Sequence, residues 1–418
     1  MGASTMKLGL IAPPGYPKEL GKRLEQELPE WLSYYVADEY NWEVEYVINA
    51  LTGVTEDSIE VLNATMDKKD EENWDFSVCI TDLPLFNNER LIVAEGNEEG
   101  HVALISLPSL GSTPMVKRVR ESILQLVNEM YYGSSEEERE EAEERILSKD
   151  KEDHHELRNK NSTSLVGKRA FERLSPIRRE TPDEEDSNVD VRFLVNSRGS
   201  GALRLISGMV RANRPWAMFP AFMKVIVIAF TTGAYALVFP TLWQLANNYD
   251  VWRMFMLSIV SILAMVGWVV VAHNLWEKPN QERADNIRKF YNTATLLTLF
   301  ITVCLYYTLL FVLFSLAVIM IIPIGMLESQ LSGTVGYSHY FYIAWTATSI
   351  STIIGALGSV LENEEVVLSS TYGYRQRQRY KQIKQAEEEK QEAEEEKKEA
   401  AEEKKEAAQE KKNAQKAS

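Results

Sequence analysis

Four apolar blocks lie within residues 216–361, and each is long enough to cross a lipid bilayer. A hydrocarbon core of about 30 Å needs about 20 apolar residues in a helix, because each residue rises about 1.5 Å. A buried helix of a soluble protein is usually shorter and has one polar face, whereas Val225–Phe230 and Phe311–Ile322 are apolar on every side. The sequence therefore predicts an all-α transmembrane domain over residues 215–362, with four spans at about 220–243, 255–273, 293–322 and 340–361.

Lysine and arginine residues are distributed unevenly among the segments that flank these blocks. Basic residues precede the first block, separate the second from the third and follow the fourth, but the loops 245–252 and 328–339 contain none. Positively charged loops stay in the cytoplasm. We therefore expect a multi-pass protein of the inner (plasma) membrane, in contact with lipid, that has both termini in the cytoplasm.

The third block stays apolar from Thr293 as far as Leu327, which is longer than one span requires. Pro323 and Gly325 predict a break, since proline removes a backbone donor and clashes with the preceding turn. We expect one long, tilted helix followed by an interfacial or re-entrant piece. Residues 323–339 are compatible with a re-entrant segment or with an outer loop.

Small residues recur every four positions along the fourth span, at Ala347, Ser351, Gly355 and Ser359. Such spacing lets helix backbones approach closely in lipid. The stripe predicts tight helix packing within one bundle. A contact between subunits of a homo-oligomer and a wall that faces a pore are the alternatives.

Residues 1–133 alternate short strand patterns with amphipathic helix patterns, which is typical of a compact α/β domain. The next segment, 134–200, is rich in charge and poor in apolar residues, and it predicts a solvated charged linker. Residues 201–214 mix apolar side chains with arginine just before the first span. This pattern predicts an interfacial amphipathic helix on the inner leaflet.

The C-terminal residues 363–418 are first basic and then almost entirely Ala, Glu, Lys and Gln. This composition predicts a charged helical tail. The Ala/Glu/Lys-rich part lacks leucine and isoleucine at heptad positions a and d, which favours a solvated single helix over a stable coiled coil. The formal net charge of the whole chain is −16, which argues against a nucleic-acid partner.

Three pieces of the N-terminal domain form a recognisable series: the strand Asp75–Pro84 with its Thr-Asp end, the paired strands of Val93–Leu107, and the helix that closes the domain. Together they resemble an archaemetzincin, a metalloprotease of the zincin type. The resemblance implies a zincin-like fold. In a zincin the closing helix carries His-Glu-x-x-His, whose two histidines bind zinc and whose glutamate activates the zinc-bound water.

The corresponding stretch of this chain reads Asn128-Glu-Met-Tyr-Tyr132. Glu129 is retained as a candidate catalytic residue. Asn128 and Tyr132 stand at the degenerate metal positions, and neither residue type is a usual zinc ligand. We therefore expect neither a bound metal nor a cofactor.

The layout of the whole chain is similar to that of a group of bacterial multi-pass membrane proteins, some of which are labelled methylenetetrahydrofolate dehydrogenases. No Gly-x-Gly-x-x-Gly follows a predicted strand, so the sequence has no dinucleotide fingerprint. In the linker, His154-His155-Glu156 has no second histidine one turn on, and it is therefore not a zinc motif.

These features predict a non-enzymatic multi-pass membrane protein, a scaffold or sensor whose degenerate, metal-free zincin-like domain binds a partner or ligand. The N-terminal domain or the tail is the expected site for a protein partner. One alternative is an oligomeric channel or transporter lined by the third and fourth spans. Another is a residual hydrolase of the zincin type that uses Glu129.

Overall fold

The computed structural model describes residues 4–53, 55–87, 90–112, 114–148, 164–167, 169–182, 189–195, 198–279, 285–331, 334–358, 368, 371–372, 374–385 and 388. Within them, an N-terminal α/β sheet region is followed by a largely helical remainder. The predictions that fall on Ser359, on His154-His155-Glu156 and on residues 391–418 of the tail lie outside the described residues.

One mixed sheet forms the α/β region. Its strands are β1 (Thr5–Ala12), β2 (Asn41–Ile48), β3 (Phe76–Thr81), β4 (Leu85–Asn87), β5 (Arg90–Asn97), β6 (Val102–Ser106), β7 (Ile177–Glu180) and β8 (Val191–Val195). They lie in the order β2-β1-β3-β6-β5-β8-β7, and β4 pairs with β5. The pairs β2–β1, β1–β3 and β3–β6 are parallel, and the other pairs are antiparallel. The carboxyl ends of β1 and β3 therefore meet at one edge of the sheet.

Helices cover both faces of this sheet, because the strand residues alternate between two apolar cores. Helices α1 (Tyr16–Tyr35) and α3 (Met115–Tyr132) pack on one face, and α2 (Ser58–Glu72) packs on the other. In β6, Ile105 joins the first core and Leu104 joins the second. Successive side chains of a strand point to opposite faces, which accounts for this division.

The sheet continues beyond Gly133, where the predicted α/β domain stops. Strands β7 and β8 come from the segment 134–200, so the prediction of a solvated linker is wrong for these strands. β8 lies between β5 and β7, and every one of its residues is buried. Its Arg192 forms an ion pair with Glu95 of β5, and this pairing makes a basic residue compatible with a buried strand. Helices α4 (Glu136–Ser148) and α5 (Ala170–Leu174) precede the two strands.

Helix α6 (Arg198–Asn213) covers nearly all of the residues 201–214 of the predicted interfacial helix and packs against protein, and its position at a membrane interface stays a prediction. Its Arg204 is fully buried and donates hydrogen bonds to the carbonyls of Leu110 and Ser175. Gly208 lies so close to the carbonyl of Pro108 that a side chain would clash there. The amphipathic pattern thus reflects burial against the α/β region, where backbone acceptors satisfy the arginine.

The helical remainder comprises α7 (Pro215–Met218), α8 (Met223–Ala236), α9 (Pro240–Asn248), α10 (Val251–Ala272), α11 (Asp285–Ile321), α12 (Ile324–Gln330) and α13 (Tyr337–Gly358). Among the described residues, three helices are long and apolar enough to cross a membrane: Val251–Ala272, Asn286–Ile321 and Tyr337–Leu357. A fourth crossing is available if Gly199–Met218 and Met223–Ala236, which meet at 58°, form one broken span. By length and composition, these helices indicate a membrane protein.

The first predicted span, 220–243, is not a single helix. Helix α8 ends at Ala236, and α9 begins at Pro240. Phe239 adopts an extended conformation, because the ring of a following proline disfavours the helical conformation at that position. The apolar run is therefore divided between two helices.

The other predicted spans are helices with different ends. Helix α10 begins at Val251 rather than 255, because the Asp250 side chain caps its N-terminus. Helix α11 begins at Asp285 rather than 293 and contains 37 residues. Helix α11 ends at Ile321, and Pro323 separates it from the short helix α12, which contains Gly325.

Candidate functional site

Helix α3 carries Asn128, Glu129 and Tyr132, the residues that the resemblance to archaemetzincin places at the degenerate catalytic and metal positions. Asn128 and Glu129 are buried, and Tyr132 is half-buried. Tyr132 donates a hydrogen bond of 3.0 Å to the carbonyl of Val36, so it joins the end of α3 to the end of α1. In the described part of the chain, the side-chain oxygen of Asn128 accepts no hydrogen bond.

The Glu129 carboxylate is the centre of a buried hydrogen-bonded chain. Its Oε2 accepts hydrogen bonds of 3.0 and 3.2 Å from Arg179. Its Oε1 accepts one of 3.0 Å from Gln125, which in turn accepts one of 3.0 Å from Tyr35. Burial raises the pKa of Tyr35, and the charge of Glu129 raises it further. A general base must reach the proton that it removes, and Glu129, only 1% exposed, is instead held by an arginine.

Buried ion pairs attach the segment 164–195 to the rest of the α/β region. They are Arg118–Glu172 at 2.7 Å, Glu121–Arg169 at 2.7 Å, Glu129–Arg179 at 3.0 Å, and Glu95–Arg192. The first member of three of these pairs lies on α3, where the spacing places it on one face of the helix. That face of α3 is therefore covered by the chain's own segment.

A metal site is not visible among the described residues, since no group of three or more His, Cys, Asp or Glu side chains is arranged to hold an ion. His101 lies in the turn between β5 and β6, with a φ of 53°, and its ring stacks on Phe76 with the centroids 4.9 Å apart. His101 is exposed, so this contact lies at the surface of the sheet region.

A second polar arrangement lies at the carboxyl edge of the parallel strands. Asp82 follows β3 and is 3% exposed. Arg379, on the helical segment 374–385, donates hydrogen bonds of 2.7 Å to Oδ1 and 3.0 Å to Oδ2 of Asp82. The same guanidinium donates to the carbonyls of Pro14 at 2.7 Å and Gly53 at 3.0 Å. We call these four residues the clasp. Ligands of open α/β sheets bind outside the carboxyl ends of the strands, and here the chain's own arginine occupies that position.

The charges of the clasp are balanced within the protein. Burial by itself raises the pKa of Asp82, but the nearby Arg379 and Arg375 outweigh burial and hold this pKa below its ordinary value of 3.8. Arg375 lies 3.6 Å from Oδ2 of Asp82. A Cβ atom at Gly53 would collide with the Arg379 guanidinium, so the close approach of the two requires glycine.

Two stacked tyrosines connect the clasp to the helical part. The rings of Tyr291, on α11, and Tyr372 are 5.2 Å apart and inclined by 7°. Tyr291 donates a hydrogen bond of 2.6 Å to Glu56, and Tyr372 donates one of 3.2 Å to the carbonyl of Met209 on α6. The start of α11, helix α6 and the tail therefore meet beside the strand ends.

The small-residue stripe of α13 packs inside the helical bundle of this chain. Ala347 and Ser351 are buried. A Cβ atom added to Gly355 would lie 3.1 Å from Ala229 of α8, and Gly233 of α8 lies against Ser351. The stripe therefore makes close contacts between α13 and α8, which small residues permit.

Hydroxyl side chains of α10, α11 and α13 form a network with one another. The Tyr307 hydroxyl lies 2.9 Å from that of Ser258 and 2.7 Å from that of Ser349, and Trp345 donates to Ser258 at 2.6 Å. Other hydroxyls of α11 donate to carbonyls one turn earlier, at Thr298, Thr302, Thr308 and Ser315. These hydroxyls are thus satisfied by protein groups.

No protein-family model matches the chain, and no curated protein matches it. Among solved structures, the chain is similar to the crystal structure of archaemetzincin from Methanopyrus kandleri, at 18% identity over 32% of this chain and 76% of that chain, with a TM-score of 0.24. A likeness of this size makes a zincin-like fold a distant suggestion.

The sequence predictions place candidate chemistry at Asn128, Glu129 and Tyr132, and they do not include the clasp. One signal for it is present: Arg375 and Arg379 are one helical turn apart and so lie on the same face of a helix. Their acidic partner is 297 residues distant from Arg379, so a local pattern cannot identify it.

Proposed function

We propose that this chain is a non-enzymatic multi-pass membrane protein of the inner membrane, in which a cytoplasmic α/β domain acts as a sensor or scaffold. The observation that carries the proposal is the clasp, through which Arg379 closes the carboxyl edge of the parallel strands. Release of the tail exposes Asp82 and the carbonyls of Pro14 and Gly53 to a partner or ligand. The domain then has a closed and an open state, whose populations a ligand shifts by binding one of them more tightly.

The clasp also supports a topology with both termini in the cytoplasm. Because Asp82 and Arg379 are in contact, the α/β region and segment 374–385 lie on the same side of any membrane that the helices cross. An even number of crossings must then separate them. Helices α10, α11 and α13 supply three. The bent pair Gly199–Met218 and Met223–Ala236 supplies the fourth if it forms one broken span.

The surroundings of Glu129 support a non-enzymatic role for the α/β domain. Glu129 is buried and paired with Arg179, and the positions of the zinc-binding histidines are occupied by Asn128 and Tyr132. A residual hydrolase would need this carboxylate to reach a substrate-bound water. A non-catalytic, structural role for Glu129 fits its ion pair better.

A channel or transporter lined by α11 and α13 receives less support. The small-residue stripe of α13 packs on α8 of the same chain, and the hydroxyls of Ser258, Tyr307 and Ser349 bond to one another. Hydroxyls that line a path for water or ions face a cavity instead. The bundle is better suited to anchoring the α/β domain.

Limited trypsin digestion of the full chain in detergent tests the clasp. We expect Arg379→Gln to accelerate cleavage after Lys381 at least about tenfold, because the opening free energy of a docked segment controls its proteolysis. Lys384→Gln is the matched control: it also removes one charge and one trypsin site, but Lys384 is exposed. Hydrogen exchange near Pro14, Gly53 and Asp82 should rise in Arg379→Gln alone. Equal rates of cleavage after Lys381 in the two variants would contradict the proposed closed state.

Metal content and topology are tested on the same protein. We expect substoichiometric zinc in the purified chain, whereas a tightly held, stoichiometric zinc ion would restore the hydrolase alternative.

A cysteine placed at Ser418 of a cysteine-free chain should react with a membrane-impermeant maleimide only after the cells are opened. Labelling in intact cells would contradict the cytoplasmic tail.

A further inference from the structure

A cavity of about 1160 Å³ lies beside the clasp, where the α/β region, the helical bundle and the tail meet. Its wall includes the start of α2 at Glu56 and Asp57, the residues after α10, the start of α11 at Arg288, and the tail residues Arg377 and Lys381. We call it the junction cavity. Its volume is comparable with that of small-molecule sites, which reach about 1,000 Å³.

Four cationic side chains line the junction cavity: Lys278, Arg288, Arg377 and Lys381. Within the described part of the chain, Lys278, Arg377 and Lys381 take part in no ion pair or hydrogen bond. They come from the end of α10 and from the tail, which are distant in sequence. Among the described residues, the cavity therefore gathers three cations that form no ion pair.

Two of the acidic residues in the wall already have other partners. Glu56 accepts a hydrogen bond of 2.6 Å from Tyr291. Asp57 caps α2 and accepts hydrogen bonds from the backbone of Ile59 and Glu60 at 2.9 and 3.4 Å. Glu277 is the third carboxylate of the wall. The donors to Glu56 and Asp57 are neutral and leave these carboxylates charged, so the wall, with four cationic residues against three carboxylates, has a small excess of positive charge.

Trp276 and Tyr380 contribute exposed aromatic surface to the cavity wall. Trp276 and Lys278 follow shortly after the apolar helix α10, which ends at Ala272. Tryptophan and lysine at the end of a span are typical of the boundary between the hydrocarbon and the cytoplasm. If α10 crosses the membrane as the proposed function requires, the junction cavity lies at headgroup depth.

We propose that the junction cavity binds a phosphate-bearing anion, which is either the headgroup of an anionic phospholipid or a soluble phosphate compound. Lysine and arginine bind phosphate through charge-assisted hydrogen bonds. A ligand held by both Lys278 and Lys381 joins the end of α10 to the tail, so it favours the closed clasp by mass action. The ligand of the proposed sensor is thus a phosphate-bearing anion.

The test compares the double variant Lys278→Gln/Lys381→Gln with the control Lys289→Gln/Lys384→Gln in the full chain. Both variants remove two lysines from the same two regions, the boundary of the bundle and the tail, but the control residues do not line the cavity. Retention of phosphatidylglycerol against phosphatidylcholine is measured by native mass spectrometry of protein from nanodiscs. Inorganic pyrophosphate is tested separately by its effect on the unfolding temperature.

We expect the unchanged chain and the control to retain phosphatidylglycerol, and the cavity variant to bind it about tenfold more weakly, since each lysine near an anionic headgroup contributes to binding. Stabilisation by pyrophosphate without a lipid preference identifies the soluble source instead. The charge-preserving variant Lys278→Arg/Lys381→Arg should bind like the unchanged chain. Binding of neither probe, or an equal loss in the cavity and control variants, overturns the proposal.

The outcome is separable from that of the proposed function. We expect cleavage after Arg377 to be slow while the clasp is closed, and the rate can be measured in every variant without any ligand. If the cavity variant keeps a protected tail but loses the lipid, the binding site is established independently of the clasp. If Arg379→Gln leaves the tail protected from trypsin, the clasp does not hold the tail closed and the proposed closed state is wrong. If the same variant still binds the lipid, the proposed cavity site is unaffected.

Discussion

Arg379 binds both carboxylate oxygens of Asp82, at 2.7 and 3.0 Å, although 297 residues separate the two in sequence. The pair joins the end of strand β3 to a helical segment that follows the last apolar helix. Both side chains are almost completely buried. The contact therefore links the first and last described parts of the chain at the edge where α/β proteins usually bind ligands.

Removal of one partner of this pair should be strongly destabilising. We expect Arg379→Gln to lower the free energy of unfolding of the α/β region by about 3–5 kcal/mol, because it leaves a buried charge uncompensated. Urea unfolding of the full chain in detergent, followed by circular dichroism, measures the change. Asp82→Asn/Arg379→Gln should lose less than the sum of its single variants, and strict additivity would argue against direct coupling.

The clasp should be sensitive to acid but not to pH near neutrality. The pKa of Asp82 in the folded protein lies below its ordinary value of 3.8, because its arginine partners outweigh burial. Since the folded pKa is lowered, the stabilisation is fully present above the ordinary pKa and is lost as the pH falls through the folded pKa. The distance between spin labels on the tail and on α2 should stay constant from about pH 5 to about pH 8 and increase below about pH 4. Asp82→Asn should abolish this acid step, and a transition near neutral pH would contradict the assignment.

Glu129 should behave as a structural residue. Glu129→Gln leaves Arg179 facing a neutral amide, and we expect the free energy of unfolding to fall by about 3 kcal/mol. Glu140→Gln, at an exposed position of α4, is the control and should change it by less than about 0.5 kcal/mol. The variant Glu129→Leu/Arg179→Met should recover most of the loss. If Glu129→Gln keeps full stability but abolishes a measurable hydrolysis, the carboxylate is catalytic after all.

Gly355→Leu tests whether the stripe of α13 faces α8 or another subunit. A Cβ atom at Gly355 would lie 2.5 Å from the hydroxyl of Tyr306 and 3.1 Å from Ala229. We expect a loss of about 1–3 kcal/mol from overpacking, seen as a lower unfolding temperature. The molecular mass of the protein in detergent should stay the same. Gly267→Leu is the control, because nothing lies within 4 Å of its added Cβ. A change of mass without loss of stability would place the stripe between subunits.

The α/β pattern and the apolar helices could be predicted because their signals are local. A strand such as β3 is a short apolar run, and a helix such as α10 is an apolar block of sufficient length. Strands β7 and β8 were not predictable in the same way. Their segment is rich in charge, and its arginines are compatible with burial only because Glu95 and Glu129 lie opposite them in the folded sheet.

The candidate site could be predicted in part. The positions Asn128, Glu129 and Tyr132 of α3 come from a resemblance in the order of motifs along the chain, and the loss of metal chemistry there stays a prediction. The burial of Glu129 depends on Arg179, and the clasp depends on the return of the tail to the sheet edge. Such contacts join residues that are distant in sequence, so the local periodicity of the sequence does not reveal them.

Because a ribosome makes the chain from its N-terminus, the clasp forms late in synthesis. Arg379 is synthesised 297 residues after Asp82. The described apolar helices lie between the two residues, so they are made before Arg379. Until that part of the chain has been made, Asp82 lacks the guanidinium of Arg379. Closure of the clasp can therefore only follow the synthesis of these helices, so it is a late step in the folding of this chain.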